Sequence, residues 1–295
     1  MPKKIIILSD DIPGHFNQSK GIATLLSNQI NVSISVETMA YKFTFLRSSI
    51  TFLARILCRL MGEFSAKIIR NFYQNIDMNG VDLIIAAGGN TAPLSAALKK
   101  TFSVPVIQLG SPRGMPLRLF DALVTVEKYF DHPGNIVVDI TPNIYSPSVC
   151  LKAAKSQDMH DHLLFLIGGK GMGYSYEQEE WTALVKNIIY LQKDTQFPVT
   201  IVTSRRTDPI VEKKLQYELS SISTTYSAWY HKGDKNYNLA ALFGSAKNIF
   251  VTEDSAMMIS ESISSGKPVT TLYPSYIKSP LRYENHISKY ADLEL

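Results

Sequence analysis

Leu163-Leu164-Phe165-Leu166-Ile167-Gly168-Gly169-Lys170-Gly171-Met172-Gly173-Tyr174 decides how this chain folds. Five apolar residues in a row fit a strand buried on both faces, as in a parallel sheet. The glycines behind them fit a tight turn, and the amphipathic pattern over 177–193 fits the helix that follows. Strand, turn and helix recur through the second half, with strands expected near 198–203, 225–229, 248–252 and 268–272. Helices are expected near 208–219, 236–244, 255–265 and 281–290. The first half reads the same way: strands near 4–9, 32–36, 82–86, 105–109, 122–125 and 136–139, helices near 17–28, 44–75 and 92–100. Such alternation is the signature of a parallel α/β sheet. Thr141-Pro142-Asn143 and the polar stretch to His162 read as a linker. The expected architecture is two Rossmann-like domains, over 1–145 and 160–295, facing each other across a cleft.

The 295 residues suffice for two domains, and 45% hydrophobic with 19% charged residues excludes a disordered chain. A net charge of +4 suits a small polyanion or an anionic membrane surface and gives no call for nucleic acid. Cys58 and Cys150 match no metal spacing, and a disulfide scaffold is not expected, which makes a reducing compartment the default. Ser9-Asp10-Asp11 cut short the apolar run Ile5–Leu8, so the N-terminus reads as a buried strand rather than a secretory leader. No stretch reaches the roughly 18 apolar residues of a membrane-spanning helix.

In open α/β sheets ligands bind at the carboxyl ends of strands, so the residues after each strand carry the functional reading. Gly168, Gly169 and Gly171 permit close backbone approach and an anion nest, with Lys170 as a point charge; the same sequence also serves as a plain βα turn. After the next strand, Ser204 and Arg205 precede the helix-starting pair Asp208-Pro209. Arg205 is placed to pair with phosphate oxygens, or both Arg205 and Arg206 are solvated surface charges. Val251-Thr252-Glu253-Asp254-Ser255-Ala256 ends a buried strand and opens a helix, whose first-turn amides suit a diphosphate. Asp254 and Ser255 also read as a plain N-cap. Glu261, two turns on, suits a ribose diol, or is an exposed helix carboxylate. Trp229 and Tyr230 close another strand, either flanking a nucleobase or packing in the core.

In the first half, Asp10-Asp11-Ile12-Pro13-Gly14-His15-Phe16-Asn17-Gln18 follows the first strand. Gly14 allows a tight turn, and His15 there is a candidate base for an acceptor hydroxyl or a structural histidine. Gly88-Gly89-Asn90-Thr91-Ala92-Pro93 and Ser111-Pro112-Arg113-Gly114 shape an acceptor pocket or are simple turns. Residues 42–73 differ in kind. Leu46, Ile50, Leu53, Leu57, Leu60, Phe64 and Ile68 keep helical spacing beside Lys42, Arg47, Arg55, Arg59, Lys67 and Arg70. That pattern is a core helix with a basic outer face, or a contact with an anionic membrane.

Taken in order, these motifs resemble the mitochondrial-fission "elongated mitochondria" family in its bacterial form. The resemblance rests on Pro13-Gly14-His15 with Asn17-Gln18, Gly88 with Thr91-Ala92-Pro93, and Ile167-Gly168-Gly169. It continues through Thr203-Ser204-Arg205-Arg206, Asn236-Tyr237 with Leu239, Val251-Thr252, Asp254-Ser255, Met258-Ile259-Ser260-Glu261 and Gly266-Lys267-Pro268. It implies a GT-B fold and, for bacterial members, a sugar transferase at the inner membrane. The plant namesake is a fission adaptor. Two departures stand out: Asp11-Ile12 before and Phe16 after Pro13-Gly14-His15, and Glu253 where the family has a small residue. Glu253 and Glu261 then carry the carboxylate spacing of retaining GT-B transferases.

The resulting expectation is a metal-independent glycosyltransferase, cytoplasmic and peripheral on the inner membrane, with no cofactor beyond its nucleotide-diphosphate sugar. Lys170, Arg205 and Glu253 with His15 are the expected catalytic set. Gly168, Gly169, Gly171, Ser204, Tyr230, Asp254, Ser255, Ala256 and Glu261 are the expected donor contacts. Gly14, Asn17, Gly89, Asn90 and Thr91 are expected on the acceptor side, facing a cell-envelope or lipid-linked glycan. The alternatives are a membrane-docked adaptor on a transferase-like scaffold, and a nucleotide-sugar epimerase or hydrolase.

Overall fold

The computed structural model describes residues 2–234 and 236–293. The chain divides into two compact units, meeting in sequence at Ile144 and Tyr145.

The first unit runs β1 (Lys3–Ser9), α1 (Pro13–Ser27), β2 (Val32–Thr38), α2 (Arg47–Arg59), α3 (Glu63–Asn71), β3 (Leu83–Ala87), α4 (Ala92–Phe102), β4 (Val106–Leu109), β5 (Ala122–Thr125) and β6 (Asn135–Val137). Its six strands lie in the order β2-β1-β3-β4-β5-β6, every pairing parallel. Ile5–Leu8 explain why β1 is central: all four side chains are fully buried, on alternating faces. Ile5 and Ile7 pack with Ala23 of α1, while Ile6 and Leu8 pack with Ile50, Ala54 and Ile69 of α2 and α3. Burying each such side chain stabilises the fold by about 1.5–3 kcal/mol. The helix expected over 17–28 begins earlier, at Pro13, whose fixed φ suits a first helical turn. The helix expected over 44–75 is two helices, separated at Gly62, which has extended backbone at the N-cap of α3.

The second unit runs α5 (Pro147–Ser156), β7 (His162–Ile167), α6 (Gln178–Thr195), β8 (Val199–Thr203), α7 (Pro209–Glu218), β9 (Thr224–Ala228), α8 (Leu239–Ser245), β10 (Ala246–Thr252), α9 (Ala256–Ser264), β11 (Val269–Leu272) and α10 (Leu281–Asp292). Its strand order is β11-β10-β7-β8-β9, again all parallel. The linker expected over 141–162 is a correction. Ser146 caps α5, accepting the Val149 amide, Pro147 occupies its first turn, and α5 packs against α8. Polar residues on the outer face of α5 hid an inner face of Cys150 and Ala154. Cys58 and Cys150 are buried free thiols, one in each unit.

Candidate functional site

Both sheets reverse direction of growth at their first strand. In the first unit β2 lies on one side of β1 and β3 on the other; in the second, β8 and β10 flank β7. A crevice opens at the carboxyl ends of two strands whose connections run opposite ways. The sequence puts Asp10–His15 after β1 and Gly88–Asn90 after β3. It puts Gly168–Gly171 after β7 and Glu253–Ala256 after β10.

At the first crevice, His15 lies in the opening turn of α1 and its Nδ1 sits 3.0 Å from Asp10 Oδ1. Asp10, its side chain 1% exposed, also accepts from Asn90 Nδ2 at 3.1 Å and from the Ile12 amide. Burial raises the Asp10 carboxyl pKa, but the hydrogen bond and charge of His15, with Asn90 and the Ile12 amide, outweigh it and hold it below the ordinary value. This pair fixes the imidazole and leaves Nε2 without a protein partner among the described residues. Gly88 makes the arrangement possible. Its φ is +84°, and a Cβ there would lie 2.3 Å from the His15 ring. The Gly88 carbonyl accepts from Thr91 Oγ1 and Gln108 Nε2, both buried, so the loop under the ring is rigid. A cavity of about 320 Å³ opens here, lined by His15, Asn90, Gly89, Arg55 and Arg113 among others.

Gly89 and Asn90 both line this cavity. Thr91 is fully buried and shapes the loop from behind, its hydroxyl spent on Ala87 and Gly88. Gly14 and Asn17 lie on α1 outside the cavity lining. Asp10, Arg55 and Gln108 were not singled out as site residues. A carboxylate five residues before a histidine is a usable signal for the first; the other two arrive only through the packing of α2 and β4.

At the second crevice, Asp254 is the organising group. It is fully buried, accepts the Gly169 amide at 3.0 Å, and pairs with Arg206 at 3.2 Å; Arg206 also donates to the Asp254 carbonyl. Gly168 leaves room for this carboxylate, since a Cβ there would lie 2.1 Å from Oδ1. The Gly168 amide donates to Thr252 Oγ1, and Thr207 Oγ1 donates to the Ile167 carbonyl, tying the ends of β7, β8 and β10 together. The N-cap of α9 is Ser255, whose hydroxyl accepts the Met258 amide; the turn from Ala256 to Met258 is half-buried. Asp254 is a loop clamp and makes no cap.

The two arginines divide the work. Arg206 holds Asp254, whereas Arg205, like Lys170, is exposed and makes no ion pair among the described residues. Ser204 Oγ accepts the Arg206 amide. The reading of Glu261 as an exposed helix carboxylate is overturned, because it is buried. Burial first, and the Glu261 charge second, push the Tyr145 and Tyr237 hydroxyls above their ordinary pKa, which places those rings near it. Glu253 is also buried, its carboxylate accepting the Tyr174 hydroxyl at 3.1 Å and its carbonyl accepting Tyr283. These contacts give Glu253 a structural place. The Tyr230 amide donates to Thr203 Oγ1, and the buried Glu212 carboxylate takes both Thr203 Oγ1 and the His231 amide, so the 229–231 turn is firmly held. Trp229 packs against the core of the second unit.

Residues 42–73 expose an apolar face. Phe45 is 82% exposed and Phe64 77%, with Phe43, Phe52, Leu53, Ile56 and Leu60 also open to solvent. Lys42, Arg47, Arg59 and Lys67 are exposed among them. The core-helix reading of this segment holds for Ile50, Ala54 and Ile69, which are core. Among the described residues no helix is long and apolar enough to cross a membrane.

A protein of Rickettsia prowazekii (strain Madrid E), described as uncharacterized protein RP120, is 25% identical over 318 residues, spanning 93% of this chain and 84% of that one. Among solved structures, Acinetobacter baumannii MurG is 16% identical with a TM-score of 0.53, covering 99% of this chain and 84% of that chain. The Neisseria meningitidis UDP-GlcNAc 2-epimerase bound to UDP-GlcNAc is 14% identical with a TM-score of 0.54, covering 100% and 91%. These likenesses, with the two parallel sheets, give the chain the GT-B fold of glycosyltransferases and epimerases. The family model described as Mitochondrial fission ELM1 matches residues 13–287, and the chain belongs to that family.

Proposed function

We propose that this member of the mitochondrial fission ELM1 family is a glycosyltransferase, moving a sugar from a nucleotide diphosphate to a lipid-linked or cell-envelope acceptor. The observation that carries the reading is the pairing of two crevices on one chain. One holds a carboxylate-oriented histidine beside a cavity, the other a glycine loop beside unpaired cations and a helix start.

In this reading the second unit binds the donor. Its diphosphate lies on the first-turn amides at Ser255 and Ala256, where the helix dipole favours negative charge. The Gly168 and Gly169 amides are taken by Thr252 and Asp254, and those of Lys170 and Gly171 by the Arg206 and Tyr174 carbonyls, so the glycine loop offers close approach and the Lys170 charge rather than an anion nest. Lys170 and Arg205, which make no ion pair among the described residues, neutralise the charge that builds on the leaving diphosphate. Ser204 supports that loop, Glu261 takes the ribose diol, and Tyr230 flanks the base. The first unit binds the acceptor. His15 Nε2 takes the proton from the acceptor hydroxyl, and Asp10 holds the tautomer and stabilises the imidazolium that results. The side chains offered to the leaving group supply charge without a metal. The exposed phenylalanines and cations of α2 and α3 seat the protein peripherally on an anionic inner membrane.

The apolar face also favours a second reading, a non-catalytic adaptor docked on a membrane. The likeness to an epimerase bound to UDP-GlcNAc keeps nucleotide-sugar isomerisation as a third. Thermal-shift titration with UDP, GDP, CDP, CMP and their sugars separates them. Ligand binding to the folded state raises the melting temperature by mass action. A rise with one nucleotide, lost in Arg205→Ala and Glu261→Ala, supports the donor site and names its base. Cooperative melting with no rise for any of them refutes it and favours the adaptor. Conversion of a bound UDP-sugar without acceptor points to the third reading.

A further inference from the structure

We infer that the cavity beside His15 takes a phosphate or diphosphate attached to a lipid, so that the acceptor of the proposed transfer is an anionic lipid. The inference rests on the transferase reading for its role in catalysis, but its binding chemistry stands on the first unit alone.

Two guanidinium groups converge at this cavity. A Cβ on Gly89 would lie 2.7 Å from Arg113 Cγ, 3.1 Å from Arg113 Nε and 3.3 Å from Arg55 Nη2, so both side chains cross the same bare glycine. Neither arginine makes an ion pair with a carboxylate among the described residues; the only protein acceptor shown for either guanidinium is the Gly89 carbonyl, 3.1 Å from Arg55 Nη2. Arg55 Nε is shut off from solvent and has no hydrogen-bond partner. A buried donor left unpaired is costly, and two like charges over one glycine repel. A single anion between them relieves the repulsion, and guanidinium geometry matches phosphate oxygens. Asp10, the nearby carboxylate, is covered by His15 and Asn90 and is committed to them.

The neighbouring surface distinguishes a lipid phosphate from a free one. A second cavity, of about 330 Å³, is lined by Arg59 of α2 and by residues 114–116. Arg59 lines it one helical turn beyond Arg55, and Gly114 follows Arg113 directly. It is an open depression bounded by Met115, Pro116 and Phe130 with Arg59 and Arg118 at its side, and a chain attached to the anion would lie in it. Ile56 and Leu60 of α2 are exposed apolar residues beside Arg55 and Arg59 in the chain. The anion site, the second cavity and these exposed side chains thus share one helix, α2.

The test is calorimetric titration of the full chain, with UDP present in excess to fill any donor site. The probes are farnesyl diphosphate, farnesol and inorganic diphosphate. The expected result is saturable binding of farnesyl diphosphate, weaker binding of inorganic diphosphate and none of farnesol. Arg113→Gln, at an exposed position, and Arg55→Gln should each weaken farnesyl diphosphate binding by about tenfold or more. Arg205→Gln, in the other unit, should leave it unchanged. Equal affinity for inorganic and farnesyl diphosphate would overturn the lipid assignment. Absence of binding, or binding indifferent to Arg113→Gln, would overturn the anion site itself. A melting-temperature rise with UDP in the same samples separates the two hypotheses. UDP binding without farnesyl diphosphate binding rejects this inference alone. The reverse rejects a UDP donor for this site and leaves the anion site standing.

Discussion

Removing the Asp254 carboxylate should uncouple the glycine loop from the rest of the second unit, and the cost follows from its two contacts. Asp254→Ala strands the Gly169 amide in the interior, a loss of about 1–3 kcal/mol. It also deprives Arg206 of its partner. Breaking a fully buried pair costs about 3–5 kcal/mol, but the Arg206 side chain is 32% exposed and regains water, so only part of that applies. The expected total is about 3 kcal/mol. Asp254→Asn keeps the shape and an oxygen for the Gly169 amide and loses only the charge, at about 1–2 kcal/mol. Both tryptophans, Trp181 and Trp229, lie in the second unit, so tryptophan fluorescence follows its unfolding alone. With a urea dependence of about 2 kcal/mol/M, the midpoint should fall by about 1.5 M for the alanine variant and by about half that for asparagine. Equal midpoints for wild type and Asp254→Ala would refute the clamp. Equal falls for the two variants would show that the carboxylate charge carries the whole effect, and no fall for asparagine would show that the charge contributes nothing.

Three further outcomes are expected. Gly88→Ala puts a methyl where the His15 ring lies, at a backbone φ of +84°; transfer should fall about tenfold or more, while UDP binding in the second unit is unchanged in the same preparation. Asp10 has a folded pKa below its unfolded value of about 3.9, so its contribution is present above that pH and is lost as pH falls through the depressed folded value. Circular dichroism of urea unfolding from about pH 5 to about pH 2 should show a shallower acid loss in Asp10→Asn than in wild type. The double substitution Phe45→Ser with Phe64→Ser should shift stability by no more than about 0.5 kcal/mol, since both rings are exposed. Sedimentation with anionic vesicles should fall by about tenfold, and unchanged binding would exclude the α2–α3 face as the contact.

The sequence by itself made the strands and the order of α and β elements legible, because burial on both faces writes continuous apolar runs such as Ile5–Leu8 and Leu163–Ile167. It also marked His15, Gly88–Asn90, Gly168–Gly171 and Ser255, since glycines and caps after strands are local signals. It misplaced α5, whose short inner face of Cys150 and Ala154 is diluted by polar neighbours, and it ran α2 and α3 together across Gly62, which has extended backbone. What only the tertiary structure decided was the assignment of adjacent charges. Arg205 and Arg206 are equivalent in sequence; one is exposed and the other clamps Asp254, because only Arg206 is positioned to meet a carboxylate delivered by β10. Glu253, Asp254 and Glu261 are likewise three similar acids until packing places one against Tyr174, one under Gly169 and one near Tyr145. Arg55 and Arg113 lie 58 positions apart and meet over a glycine. Local propensity reads each residue against its neighbours in the chain, whereas the field at a charge is set by groups brought close by long-range strand pairing, and no period in the sequence encodes that distance.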